Sequence, residues 1–281
     1  MTAESVAGHT LRATLRQVGV AADRLLPPAS GVTVLSYHQV DAPSAGSVNL
    51  STAGFTAQMA LLASAPSSRT VVSLDLAVDV LSSGLRPAVS QVVVTFDDGT
   101  ADFVDHALPV LVDHDIPATL YLATSFVEEG RSFWDDGTVL SWAALRDALS
   151  TGLVSIATHT HSHALLDRVD PTIAAQEIET AVALVEDRLG VTPTHFAYPK
   201  ALAPPRGSPT DQAVRARVLS AAVAGGRVNR YGATDPWHLS RTPVVAGDDL
   251  EAFARKAAGG LRLEGEVRER LDRVRYRHAE Q

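Results

Sequence analysis

Short apolar runs alternate with amphipathic stretches along most of this chain. Runs of strand character occupy residues 32–37, 70–74, 91–96, 118–122, 153–157 and 194–198. They are β-rich and a few residues long, and 91–96 (Gln-Val-Val-Val-Thr-Phe) is the clearest buried strand. Helical spacing fills the intervals. Ser51 or Thr52 is placed to cap a helix carrying Phe55, Met59 and Leu62, and another helix begins near Asp75 and is ended by Gly84 and Pro87. Phe103, Leu108 and Leu111 mark a third helix, and Ser141 and Gly152 bracket a fourth. Asp170-Pro171 opens a long helix to Leu189, with Asp as N-cap, Pro in the first turn and Gly190 past the end.

Beyond residue 200 the pattern predicts a loop over 200–209, a helix near 210–224, a short strand around 242–245, and helices near 248–258 and 264–277. At the other end, Leu11, Leu15, Val18, Ala22 and Leu25 fall on one face of a helix over 9–26, which Pro27-Pro28 stops. Its arginines would allow a membrane-surface helix, but packing on the domain is the plainer expectation. We read 1–28 as a helical extension and 29–281 as one domain.

Strand followed by helix, seven or eight times over, is the signature of a parallel sheet, closed as a barrel or open and doubly wound. A barrel of 7–8 parallel strands is favoured. His38, Asp97-Asp98, His159 and Tyr198 all fall at the C-terminal ends of different strands, the rim where barrel enzymes collect their chemistry. No glycine-rich nucleotide turn follows any strand, as an open sheet would more typically show.

Composition narrows the function classes. The 281 residues are 46% hydrophobic and 20% charged, ample for a large core, and carry a formal net charge of −8. That balance argues against nucleic acid as a partner and gives no attraction to anionic lipid. There is no cysteine, which removes disulfides, thiolate nucleophiles and cysteine-bound metal centres. The first thirty residues contain charges and no uninterrupted apolar core, so neither a signal peptide nor a membrane span is expected and a cytoplasmic location is the default. Nothing sets the oligomeric state. The only lysines, Lys200 and Lys256, read as compositional bias rather than chemistry.

The remaining signal is chemical. His159-Thr160-His161-Ser162-His163 places three of the ten histidines at alternating positions after an apolar run. His159 and His163, four apart, would share a face if the loop enters a helical turn, leaving His161 pointing away. Adjacent carboxylates end a buried strand at Asp97-Asp98. A cap for the next helix is the plain alternative for either, but with the histidine cluster at another strand end they suggest a site. One Asp and two His would hold a metal with open positions, an arrangement typical of catalytic sites. The second aspartate would then serve as a general base.

The segments Val94-Thr95-Phe96-Asp97-Asp98-Gly99 and His159-Thr160-His161-Ser162-His163 resemble the first two motifs of the polysaccharide deacetylase family, the NodB-homology carbohydrate esterases of family 4. Ser36-Tyr37-His38-Gln39-Val40, Ile116-Pro117-Ala118-Thr119 and Phe196-Ala197-Tyr198-Pro199 match as well, and place the chain nearest the exopolysaccharide-deacetylase branch. The resemblance implies a distorted (β/α) barrel and metal-dependent removal of an N-acetyl or other acyl group from an amino sugar. It implies Asp97 as base and Asp98, His159 and His163 as ligands of a divalent metal, zinc first, with cobalt or manganese as alternatives. Tyr198 and Pro199 fall in the motif that holds the oxyanion.

Two departures from the family pattern matter. The arginine that would orient the base is missing locally, and Arg241 is the candidate substitute, with a surface salt bridge as its alternative. The late histidine acid is not recognisable either; in exopolysaccharide-type members the early Tyr-His pair takes that role, so the resemblance implies His38 as acid, with His238 as runner-up. Trp134 is a candidate for stacking on a sugar. His106, His114, His195 and His278 receive no role. Three alternatives stand beside this reading: an amidase acting on a small linear or cyclic amide, a non-haem iron oxygenase, and a non-catalytic carbohydrate-binding relic.

Overall fold

The computed structural model describes residues 30–276 apart from 45, 65–68 and 134–136, together with residues 19 and 23. The extension over 1–28 and its predicted helix, residues 19 and 23 aside, lie outside the described residues, as does Trp134.

Among the described residues ten strands are formed: β1 Val32–Tyr37, β2 Gln39–Val40, β3 Asn49–Leu50, β4 Arg69–Val71, β5 Ser90–Phe96, β6 Ala118–Leu122, β7 Val154–Thr158, β8 His195–Ala197, β9 Ser220–Ala224 and β10 Leu239–Pro243. The helices are α1 Thr52–Ala63, α2 Leu74–Ser83, α3 Leu108–Asp113 (entered through a π-turn at Phe103–Ala107), α4 Thr124–Glu129, α5 Trp142–Ser150, α6 Pro171–Leu189, α7 Pro209–Arg217, α8 Leu250–Ala257 and α9 Arg262–Arg275.

Seven strands close a parallel ring in the order β1-β10-β9-β8-β7-β6-β5, and β5 returns to β1 from Val32↔Gln91 to Tyr37↔Phe96. Closure removes the sheet edges that an open array would expose. β4 is an eighth, partial strand. It pairs with Ser90–Val92 of β5, while β6 takes Val94–Phe96. One edge of β5 is thus shared between two partners, and this is where the barrel departs from a regular eightfold ring.

Alternation along each strand sorts the side chains into two layers. Val34, Val93, Tyr121, Ala157, Ala197, Ala222 and Leu239 form the interior cluster, and α2 closes it from below with Leu74, Ala77, Val78 and Leu81. The neighbouring positions Val92, Val94, Phe96, Leu120 and Ile156 face outward, against Phe55, Met59, Leu111 and Leu145 of the surrounding helices. The long helix α6 begins as its sequence predicts: the Asp170 side chain accepts from the Thr172 N–H, and Gly190 ends the helix at φ 70°.

Two predicted elements were displaced. Residues 220–224 form β9, the tail of what the spacing predicts as a helix, and α7 ends at Arg217. Ser-Ala-Ala-Val-Ala has helix-compatible composition, but the ring needs a strand between β8 and β10, and small side chains fit its interior; tertiary pairing overrides propensity here. β10 likewise starts at Leu239, earlier than the apolar run suggests, because it pairs with β9 through Leu239↔Ala222 and Arg241↔Ala224.

The bottom of the ring is tied by Asn229. Its N–H and C=O exchange hydrogen bonds with Val32 at 2.9 and 2.8 Å, and its amide also donates to Ser240 O. Gly31 sits against this strap, where a Cβ would come within 2.2 Å of Asn229 O. Gly31→Ala is therefore expected to cost about 2–4 kcal/mol, read as a lower urea midpoint at unchanged slope. Gly46→Ala, which meets nothing within 4 Å, is the control and should change stability by less than about 0.5 kcal/mol.

Candidate active site

The interior columns of four strands run upward from apolar to functional residues in steps of two. Val34 leads through Ser36 to His38, Val93 through Thr95 to Asp97, Ala157 to His159, and Leu239 to Arg241. Each strand therefore delivers one polar group to the mouth of the barrel, into a cleft of about 490 Å³.

Asp97 and Asp98 are both buried, at 3% and 4% exposure, yet they face different partners. Asp97 is gripped by the guanidinium of Arg241, with Nη1 donating to Oδ1 at 2.5 Å and Nη2 to Oδ2 at 2.9 Å. Arg241 is itself 4% exposed, so the surface-ion-pair alternative does not hold. Its guanidinium lies 5.2 Å over the ring of Tyr121, an interior residue that sequence reasoning passed over. Burial alone would raise the Asp97 carboxyl. The charge of Arg241, then those of His159 and His38, outweigh burial and hold the group well below the usual carboxylate range.

Asp98 leaves the strand at φ 73° and Gly99 follows at φ 80°, so the chain turns sharply and carries the second carboxylate away from Arg241. Its Oδ1 lies 3.8 Å from Nε2 of His159 and 3.8 Å from Nε2 of His163. Neither distance is a hydrogen bond. The three ligand atoms all lie within 4.8 Å of one another, and nitrogen and carboxylate donors converging in this way suit a divalent cation. His159 Nδ1 lies 2.7 Å from the Ala197 carbonyl, an arrangement in which Nδ1–H donates and the Nε2 lone pair is left facing inward. Burial, the largest influence on both rings, lowers the His159 and His163 pKa values and keeps the imidazoles neutral, as ligands must be.

The helical turn expected for residues 159–163 is absent. Thr160 (φ 59°) and His163 (φ 64°) adopt left-handed backbone instead, and two reversals bring the histidines together. Glu177 of α6 secures the loop, accepting from the His161 N–H at 2.9 Å, the Ser162 N–H at 2.8 Å and the Ser162 hydroxyl at 2.8 Å. His161 points away from the metal cluster as expected, but it is no bystander: its Nδ1 lies 3.0 Å from Thr124 Oγ1 and its carbonyl accepts from the Ser125 N–H. Nothing in the sequence marked Glu177, because it is one of several glutamates on a helix surface.

His38 lines the same cleft, with Nε2 3.7 Å from Asp97 Oδ2. His238, its alternative, is not brought there. It packs on the far side of Tyr198, with ring centroids 6.4 Å apart, beside Asp235. Tyr198 lines the cleft, but its backbone is already engaged. The Tyr198 N–H is committed to Ala222 O at 3.0 Å, Pro199 has no N–H, and the Tyr198 ring packs outward on Phe196. Lys200 lines the cleft, contrary to its reading as compositional bias, whereas Lys256 is buried in a structural contact with Asp248 and Pro243 O. His195 bonds Ser220 and Asp75 and stays away from the cleft.

Residues 86–218 match the family model for polysaccharide deacetylase. The match spans 133 of the chain's 281 residues and contains both carboxylates and all three histidines of the 159–163 segment. Among solved structures, IcaB from Ammonifex degensii is similar at 25% identity and TM-score 0.69, over 82% of this chain and 98% of that one. The Streptococcus pyogenes deacetylase PplD, solved with acetate, has 21% identity and TM-score 0.71, over 82% of this chain and 99% of that one. A de-N-acetylase from Aggregatibacter actinomycetemcomitans has 17% identity and TM-score 0.67, over 80% and 99%. No curated protein sequence matches the chain. The matched segment is similar to a hydrolase domain of the deacetylase type. Among the described residues no helix is long and apolar enough to cross a membrane.

Removing the guanidinium tests the electrostatics directly. Arg241→Gln leaves Asp97 buried without its main counter-charge, so its pKa should move upward, read by infrared titration of the carboxylate. The wild-type carboxyl is depressed below 3.8, so its stabilising contribution is present above that value and is lost as pH falls through the depressed one. At neutral pH the variant should lose about 3–5 kcal/mol, and the gap to wild type should narrow in acid.

Proposed function

We propose that this chain removes the N-acetyl group from an amino-sugar unit of a saccharide by hydrolysis. The carrying observation is the division of labour between neighbouring carboxylates. Asp97 is held ionised and oriented by Arg241, while Asp98 turns to join His159 and His163.

Asp98, His159 and His163 would hold a divalent cation, with zinc favoured by the two-nitrogen, one-carboxylate donor set. When bound, such a cation supplies Lewis-acid polarisation of the acyl carbonyl and acidifies water. The chain's own residues do the proton work. Asp97 accepts the proton of the water that adds to the carbonyl carbon. Arg241 fixes both carboxylate oxygens and limits the rotation that would take the base out of line. Being strongly depressed, Asp97 is a weak base in isolation, so it acts only on a water already made acidic. His38 lines the same cleft, 3.7 Å from Asp97, and is the imidazole left free of the metal-ligand set to serve as acid. As the C–N bond breaks, His38 gives the nitrogen a proton, and acetate and the free amine are released.

Acetate release from N-acetylated glucosamine oligosaccharides, with added zinc, cobalt or manganese, tests this reading. Asp97→Asn should retain metal, measured by elemental analysis, and lose turnover by about 10²–10⁴. Full activity in that variant would refute the base assignment. His38→Gln should lose about 10² or more in kcat with metal content unchanged, and an unaffected kcat would remove His38 from the acid role. Asp98→Ala and His163→Ala should each fail to retain the metal.

A further inference from the structure

A strip of alternating rings and cations leads out of the metal cluster along one wall of the cleft. The Phe133 ring lies 4.5 Å from the His163 ring, and Lys200 Nζ lies 5.3 Å from the Phe133 ring. The same ammonium is 4.8 Å from the ring of Tyr276, which is followed at 5.4 Å by the guanidinium of Arg275. All four residues line the cleft. They come from three separate places: the loop after α4, the turn after β8, and the C-terminal end of α9.

Asp98 exerts an attractive field on Lys200 from across the cleft without contacting it. Among the described residues, neither Lys200 nor Arg275 has a carboxylate within ion-pair distance, although the protein carries a net charge of −8. Lys256, the other lysine, is neutralised by Asp248 at 2.7 Å. Lys200 is also held in place at a conformational cost. It has φ 52° and Ala201 has φ 57°, two consecutive left-handed residues without glycine, a conformation that persists only where surrounding structure enforces it. A half-buried ammonium with no contacting carboxylate, set on a left-handed turn between two rings, is poised for a ligand that brings both an apolar face and negative charge.

We propose that Phe133, Lys200, Arg275 and Tyr276 form a subsite for an oxyanion substituent, phosphate or carboxylate, on the acetylated saccharide. The proposal rests on the deacetylase reading of the same cleft. The sugar ring adjoining the scissile amide lies along the aromatic faces, and its anionic group meets Lys200 and Arg275. The substrates selected are thereby acidic saccharides, either sugar phosphates or units with a uronate-type carboxylate, over neutral chains.

The test compares three acetylated substrates with the metal-loaded enzyme: a neutral glucosamine trisaccharide, N-acetylglucosamine 1-phosphate and an N-acetylated aminouronic acid. Binding of the two anionic compounds is measured separately by calorimetry, so that one readout does not need turnover. Wild type should prefer at least one anionic compound over the neutral one by about tenfold in kcat/KM. Lys200→Gln and Arg275→Gln should each reduce that ratio several-fold, mainly through KM, Lys200→Arg should preserve most of it, and high salt should erode it. Whichever anion is favoured identifies the source. Equal efficiency on all three compounds, with a ratio unmoved by Lys200→Gln, would overturn the subsite and leave the deacetylation intact. Charge-selective binding that Lys200→Gln abolishes, without acetate release from any saccharide, would support the subsite and overturn the reaction. Absence of both charge-selective binding and acetate release would overturn both.

Discussion

The buried ion pair between Asp97 and Arg241 is the constraint on which the rest of the cleft depends. Burying a carboxylate in the throat of a barrel is costly, and one guanidinium with two parallel hydrogen bonds is among the few partners that offset it. Once Asp97 is committed in this way, it cannot also approach His159 and His163. The neighbouring carboxylate must therefore leave the strand direction, and the left-handed backbone at Asp98 and Gly99 is how it does so. Two adjacent aspartates with the same chemistry thus acquire different surroundings: one faces a fixed cation of the protein, the other a pair of neutral imidazoles.

The pair also explains why β10 has the register it has. Arg241 must stand inside the barrel across from Asp97, with Tyr121 beneath its guanidinium. Interior positions fall every second residue, which places Leu239 in the floor below and Arg241 at the height of the cleft. A one-residue slip would turn Arg241 outward and leave Asp97 buried without its main partner. The pairing of β10 with β1 through Val34↔Arg241 prevents that slip.

Much of this was legible in the sequence because the relevant signals are local. Apolar runs ending in His38, Asp97-Asp98 and His159 mark the strand ends, and the Asp170-Pro171 cap with Gly190 delimits α6 from spacing alone. What could not be read depends on contacts between distant segments. Residues 220–224 are a strand only because β8 and β10 require one between them. The Tyr198 N–H looked available until the ladder bond to Ala222 claimed it. Glu177, Tyr121 and the end of α9 reach the site from distant segments, where no short motif reports on them, while Lys200 directly follows the Tyr198-Pro199 motif and was passed over as composition. His159 and His163 met as their spacing suggests, but through two backbone reversals where a helical turn was expected.

Those reversals belong to a wider pattern. Among the described residues, eight that are not glycine have positive φ: Asp41, Asp98, Asp115, Thr160, His163, Lys200, Ala201 and Leu261. Five of them, Asp98, Thr160, His163, Lys200 and Ala201, lie on the three turns that follow β5, β7 and β8 into the cleft. A left-handed residue with a side chain is unfavourable by about 1–2 kcal/mol, so such residues persist only where surrounding structure enforces them. Here the enforcing structure is the closed ring below, whose strands fix the start of each turn, and Glu177, which ties the histidine turn to α6. Strands point their alternate side chains along fixed columns, and a column alone would deliver one functional group per strand. The left-handed turns add a second: Asp98 beside Asp97, His163 beside His159, and Lys200 beyond the end of β8. The barrel supplies rigidity and the strained turns supply density, and the cleft needs both to gather two carboxylates, three imidazoles and three cations around one small volume.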